Sequence, residues 1–220
     1  MPEAASSRDK ILDVAEALFA RRGHAGVGLR EVAESAGLSK SALFHHFRSK
    51  DQLYFEVHLR VARQIRERLD AATARSVSGR EQLEAWLTSL IDQLAEHPPV
   101  SLLLLRSLFE KEDAQIPESR AAEAMVASIL ADADRLLRRG VEEGWLRPLS
   151  APHTVQTLIG ATIYHFASGE VGEAVLGRSP FSAEEVSKRK RELIALLRHG
   201  IFHRPDAPDE PKTGDPAWTS

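Results

Sequence analysis

Apolar residues in this chain recur at spacings of three and four along nearly every long segment, and no stretch alternates apolar with polar as a half-buried strand would. The pattern predicts an all-α protein of about nine helices. The first is expected behind Ser7 as N-cap, with Asp9 in the first turn and Ile11, Ala15, Leu18 and Phe19 on one face, ending at Gly23. Short helices are expected over 29–36 and 40–46, with Gly37, Leu38 and Ser39 between them. Ser49 and Gln52 form a capping box ahead of Leu53, Val57, Val61, Ile65 and Leu69, which predicts a long fourth helix to about residue 75.

Ser78 and Glu81 open a fifth helix carrying Leu83, Leu87, Leu90, Ile91 and Leu94, closed by His97, Pro98 and Pro99. A sixth is expected over 100–111 and a seventh over 118–143, with Gly144 as its C-cap glycine. The eighth starts behind Ser150 and Pro152 and reaches about residue 168. The ninth has a capping box (Ser182, Glu185) and a hydrophobic staple (Phe181, Val186) and ends near Gly200. Residues 204–220 contain Pro205, Pro208, Pro211 and Pro216 among charges, with little to bury, and are expected to be a disordered tail.

The two short helices around Gly37 fit a helix-turn-helix. Ala33 is small enough to let them cross closely, Gly37 tolerates the positive φ of the turn, and Val32, Leu38 and Leu43 would close a small core. Between Ser35 and Lys50 stand Lys40, Arg48 and Lys50 and no acidic residue. Such a positive edge at the start of a helix suits contact with phosphate and guanine.

Composition narrows the class. The chain has 220 residues, 43% hydrophobic and 28% charged, as expected of a soluble globular protein with a real core. With no cysteine it cannot hold a disulfide, a thiolate zinc site or a Cys nucleophile. Together with the lack of a recognisable signal segment, this points to the cytoplasm. The longest apolar runs are broken by Arg106, Gln156 and His165, too soon to span a bilayer. No G-x-S-x-G, P-loop, G-x-G-x-x-G or H-E-x-x-H occurs, so neither an enzyme nor a cofactor site is expected. His199 and His203 have i,i+4 spacing but no acidic partner nearby, which leaves no metal site to expect. Net charge is −3, and it divides unevenly. Residues 1–60 hold 9 Lys+Arg and 8 Asp+Glu, against 20 and 24 in residues 61–220.

The segments Arg8 to Ala15, Leu18-Phe19, Gly23, Leu29 to Ala33, Ala36 to Lys40, Leu43 to Phe47 and Ser49 to Leu53 together resemble the DNA-binding domain of the TetR family of bacterial transcriptional regulators. The resemblance implies a helix-turn-helix domain over 5–65 (motif about 28–47), joined by the fourth helix to an effector-binding and dimerisation domain over 66–203. It implies a homodimer on a palindromic double-stranded operator, usually a repressor released by a small molecule. Its DNA contacts would fall on Gly28, Arg30, Ser39, Lys40, Ser41, Ala42, Phe44, His45, His46 and Lys50. Two positions depart from the family. Gly28 supplies no capping hydroxyl where Ser or Thr is usual, and Phe44 lacks the hydroxyl of the usual Tyr.

The resemblance implies that the fifth to seventh helices enclose an effector, apolar or amphipathic, through Trp86, Leu90, Leu94, Leu104, Phe109, Met125 and Ile129, residues whose pattern alone reads equally as plain core. Leu158, Ile159, Thr162, Ile163 and Phe166, with Leu193, Leu196 and Leu197, would form a four-helix dimer interface. The alternative is a helical scaffold or interaction protein that does not bind DNA.

Overall fold

The computed structural model describes residues 6–107 and 116–201. These form ten helices and no strand: α1 (Ser7–Arg22), α2 (Leu29–Ser35), α3 (Lys40–His46), α4 (Lys50–Thr73), α5 (Gly79–Glu96), α6 (Pro98–Ser107), α7 (Pro117–Glu142), α8 (Ala151–Ala167), α9 (Gly169–Leu176) and α10 (Ala183–Gly200). Phe109, His203 and the proline-rich 204–220 lie outside the described residues.

The caps follow the sequence with small shifts. Ser6, not Ser7, caps α1, accepting from the Asp9 N–H at 3.1 Å. Ser49 and Ser78 accept from the Gln52 and Glu81 N–H groups. The reciprocal halves of those boxes reach one residue further out. Gln52 Oε1 accepts from the Arg48 N–H and Glu81 Oε2 from the Val77 N–H, each at 2.8 Å. Pro98 and Pro99 do not merely end α5. They are the first two residues of α6, where a missing N–H costs nothing.

Helix α9 is the element the pattern does not predict. It has eight residues and two glycines, Gly169 and Gly172, and shows solvent Val171 and Val175. A stretch this short and glycine-rich has neither the length nor the propensity to stand out.

Helices α1 to α3 form a compact head around Ile11, Phe19, Leu43 and Phe47. Helix α4 runs out of the head and packs on α5 and α7, while α6 lies against α1 and α8. The second half is pinned by ion pairs between helices: Arg68 with Glu96 joins α4 to α5, and Arg198 with Glu84 joins α10 to α5. Among the described residues no helix is long and apolar enough to cross a membrane.

Candidate nucleic-acid interface and ligand cavity

The turn between α2 and α3 is fixed by local hydrogen bonds. Gly37 has φ 69°, and its N–H reaches the Glu34 carbonyl while the Leu38 N–H returns to the Ala33 carbonyl at 2.9 Å. This Schellman arrangement satisfies the last carbonyls of α2 and needs a residue that accepts the left-handed region. Ala33 and Val32 are buried beneath it, and Leu38 packs on the same core.

Helix α3 follows, with Ser39 Oγ capping the Ala42 N–H at 3.1 Å and Ser41 Oγ 2.9 Å from Ser39 Oγ. Ser39, Lys40, Ser41, Phe44, His45 and Arg48 are exposed, while Ala42 and His46 are half-buried. The Lys40 ammonium lies 5.6 Å from the Phe44 ring centroid, so the cation and the aromatic share one surface. Arg30 is exposed on α2 and pairs with Glu34 at 2.8 Å. Lys50 Nζ donates to the His24 carbonyl at 2.9 Å, which ties the start of α4 to the loop after α1 and leaves two of the ammonium's three donors for other partners.

Sequence reasoning passed over His24. It is 7% exposed, its Nε2 is 2.8 Å from Asp51 Oδ1, and its ring meets Tyr54 edge-on at 4.9 Å. Arg60 of α4 reaches back to Asp13 at 2.6 Å and Glu16 at 2.8 Å on α1. The head is thus fastened to α4 by charge as well as by packing.

Two cavities lie in the second half. One, of about 880 Å³ and open to solvent on one side, is lined by Tyr54, Phe55 and His58 of α4, Leu104, Leu105 and Ser107 of α6, residues of α7 between Ser119 and Leu130 and residues of α8 between Val155 and Tyr164. Its lining is mostly aliphatic and aromatic, with His58, Glu123, Gln156 and Tyr164 as polar points. The other, about 660 Å³, lies between α4, α5 and α7 and is charged, with Arg66, Arg135, Arg138 and Arg139 among carboxylates.

The residues expected to enclose an effector separate. Leu104 lines the apolar cavity, whereas Trp86 and Ile129 line the charged one. Leu90 and Leu94 are core residues at 5% and 0% exposure and line neither, and Met125 packs on the core. The fifth helix is consumed by packing against α4, α7, α8 and α10, and this leaves α8 to complete the apolar cavity.

The expected dimer residues also change place. Leu158, Thr162, Phe166, Leu193 and Leu197 are buried within the single chain, and Ile159 and Ile163 line the apolar cavity. Only Leu196 of that set faces solvent, at 63% exposure. The outward apolar face instead holds Tyr164, Val171 and Val175. Helix α8 turns Val155, Leu158, Thr162 and Phe166 inward and leaves His153, Gln156, Thr157 and Tyr164 exposed, and an apolar stripe of this kind does not say whether its own chain or a partner covers it.

Two family models match. One described as bacterial regulatory proteins, tetR family, covers residues 11–57, and one described as tetracyclin repressor-like, C-terminal domain, covers residues 80–197, more than half of the chain. The chain belongs to the TetR family. It is a DNA-binding transcriptional regulator. It is 30% identical over 175 residues to the HTH-type transcriptional repressor AcnR of Corynebacterium glutamicum, covering 77% of this chain and 87% of that protein. The ketosteroid regulator KstR2 of Mycobacterium tuberculosis has a similar fold, with TM-score 0.75 and 20% identity over 92% of this chain and 98% of that one. So does AibR, solved with isovaleryl coenzyme A and operator DNA, with TM-score 0.72 and 16% identity over 87% and 97%.

Within this TetR-family head, Gly28 caps α2 through backbone alone, with φ −105°, no side-chain bond, and nothing within 4 Å of where a Cβ would stand. The site therefore has room for the hydroxyl it lacks. The exposed Phe44 keeps its ring on the surface beside Lys40.

Proposed function

We propose that this TetR-family regulator is a repressor that binds an inverted-repeat operator as a homodimer and leaves it when an amphipathic molecule occupies the 880 Å³ cavity. The observation that carries the reading is the exposed, acid-free edge from Ser39 to Lys50, set at the start of α3 by the Gly37 turn. Lys40, at the helix start, reads guanine or holds phosphate, and Ser41, Phe44, His45 and Arg48 border it. Ala42 allows the helix to enter the groove, and Arg30 and His46 flank it. Gly28 contributes its backbone N–H and Lys50 its spare ammonium donors to phosphate. One such head is a small footprint, so two heads about 34–36 Å apart on one DNA face are needed.

Dimerisation uses the outward face of α8, α9 and α10 around Tyr164, Val175 and Leu196, which are 60%, 81% and 63% exposed in the single chain. The head comprises residues 5–65, the remainder to 203 holds effector and partner, and the protein acts in the cytoplasm, where the operator is. That AibR was solved with an acyl thioester of coenzyme A supports an effector with an apolar acyl part, which the aliphatic lining would take in.

The test is selection of duplexes from a random pool by the purified protein. The expected product is an inverted repeat bound with an affinity that falls steeply with salt. Salt-insensitive retention of unrelated duplexes would overturn the reading.

A further inference from the structure

Beyond α4 itself and the packing of α6 on α1, side-chain hydrogen bonds from Arg106 of α6 and to Glu118 of α7 join the walls of the apolar cavity to the head. The last carbonyls of a helix have no partner within it. At the end of α1 the Phe19 carbonyl receives the Gly23 N–H at 2.8 Å, and the next two, Ala20 and Arg21, both accept from Arg106, through Nε and Nη2 at 2.9 Å each. The planar guanidinium spans both carbonyls and puts a cation at the negative end of the helix. Arg106 sits on the last turn of α6, and both its neighbours, Leu105 and Ser107, line the cavity. The second tie is Gln52. Its Oε1 accepts from the Arg48 N–H just after α3, and its Nε2 donates to Glu118 Oε1 at 2.9 Å in the first turn of α7, beside the cavity-lining Ser119.

We propose that Arg106 is the positioning residue that carries cavity occupancy to the DNA-binding head, an inference that rests on the cavity being the effector site. A molecule entering between α6, α7 and α8 displaces α6, and the fork on Ala20 and Arg21 transmits that displacement to the C-terminal end of α1. Helix α1 packs on α2 and α3, so the reading edge turns with it. The Gln52–Glu118 tie holds the other side of the head to α7, which gives the rotation a fixed point and keeps the head attached when Arg106 is removed.

A thermodynamic cycle on the full-length protein and its selected operator tests this without knowledge of the natural effector. Val126, on the cavity wall of α7, is 40% exposed, and Val126→Trp fills part of the space. It is expected to lower operator affinity by about tenfold, a typical allosteric coupling. In an Arg106→Ala background the same substitution should lower it by less than about twofold. Arg106→Lys, which keeps the charge but cannot span both carbonyls, should give an intermediate loss and carries the cycle if the alanine variant fails to fold. An equal tenfold loss in all backgrounds overturns the role of Arg106 and leaves the effector reading standing. No loss from Val126→Trp in the parent protein overturns the effector reading, and the proposal with it.

Discussion

The reading edge and the ligand cavity are assembled from the chain in opposite ways. Every side chain of the edge lies between Gly28 and Lys50, and its shape follows from neighbours in sequence: the Gly37 turn, the Ser39 cap, the Ser49 cap. The cavity draws on Tyr54 at one extreme and Tyr164 at the other, and it exists where four helices fail to fill the space between them. A surface built from local contacts has a sequence signature, whereas a void is defined by missing contacts and has none. Charge is divided along the chain as well: residues 1–60 carry a net +1, with Lys40, Arg48 and Lys50 at the edge, and residues 61–220 a net −4.

The contrast can be broken most forcefully by trimming side chains. Phe47, 1% exposed with Arg8 over its ring at 5.3 Å, fills the head, and Phe47→Ala should cost about 3–5 kcal/mol in urea unfolding. Ile159→Ala, on the wall of an existing cavity, should cost less than about 2 kcal/mol because it leaves little new void. Equal losses would mean that the wall is as tightly packed as the head.

Next in size is Lys40→Ala, which should leave melting unchanged while weakening operator binding by about 1–3 kcal/mol if the ammonium reads a base. Anisotropy titrations at several salt concentrations distinguish the two roles. A reduced salt slope with equal weakening on all sequences assigns Lys40 to phosphate instead.

A smaller effect belongs to the second half alone. Burial, and then the Arg189 guanidinium, hold the His165 pKa below its ordinary 6.5, so the folded protein binds this proton less readily than the unfolded chain. Its contribution to stability is present above pH 6.5 and is lost as pH falls through the lowered folded pKa. His165→Gln should flatten the fall in stability below about pH 6.5 relative to the parent, and an unchanged profile counts against the burial. Operator contacts in the head should not follow His165. The smallest change expected is from Gly28→Ser, which adds a capping hydroxyl where a Cβ meets nothing. It should raise stability by a few tenths of a kcal/mol and tighten operator binding modestly; a loss of affinity would show that the backbone of Gly28 must stay bare.

What could be read in advance follows the same line. The boundaries of α2 and α3 and the caps at Ser49, Ser78 and Ser182 are short-range facts, each a hydroxyl or glycine acting within a turn of its own position. Leu158, Phe166 and Leu193 are covered by their own chain, and the sequence does not show this because an apolar stripe on a helix looks the same whichever body covers it. His24 gave no signal, since a lone histidine in a glycine-rich loop has no periodicity to mark it as buried. Arg106 did give one: it is the cation that interrupts the apolar run of α6, and only its position against α1 shows why a charge stands there.

The amino-acid sequence by itself determined the helical class, the helix-turn-helix with its positive edge and the turn that Gly37 makes possible, because hydrophobic period, caps and glycine conformation act over a few residues. Only the tertiary structure decided which faces of α5 and α8 became core, wall or exposed surface, where the cavity opened and which carbonyls Arg106 would hold. Those outcomes depend on how helices distant in sequence compete for the same buried space, and burial is a property of the packed chain rather than of any one segment.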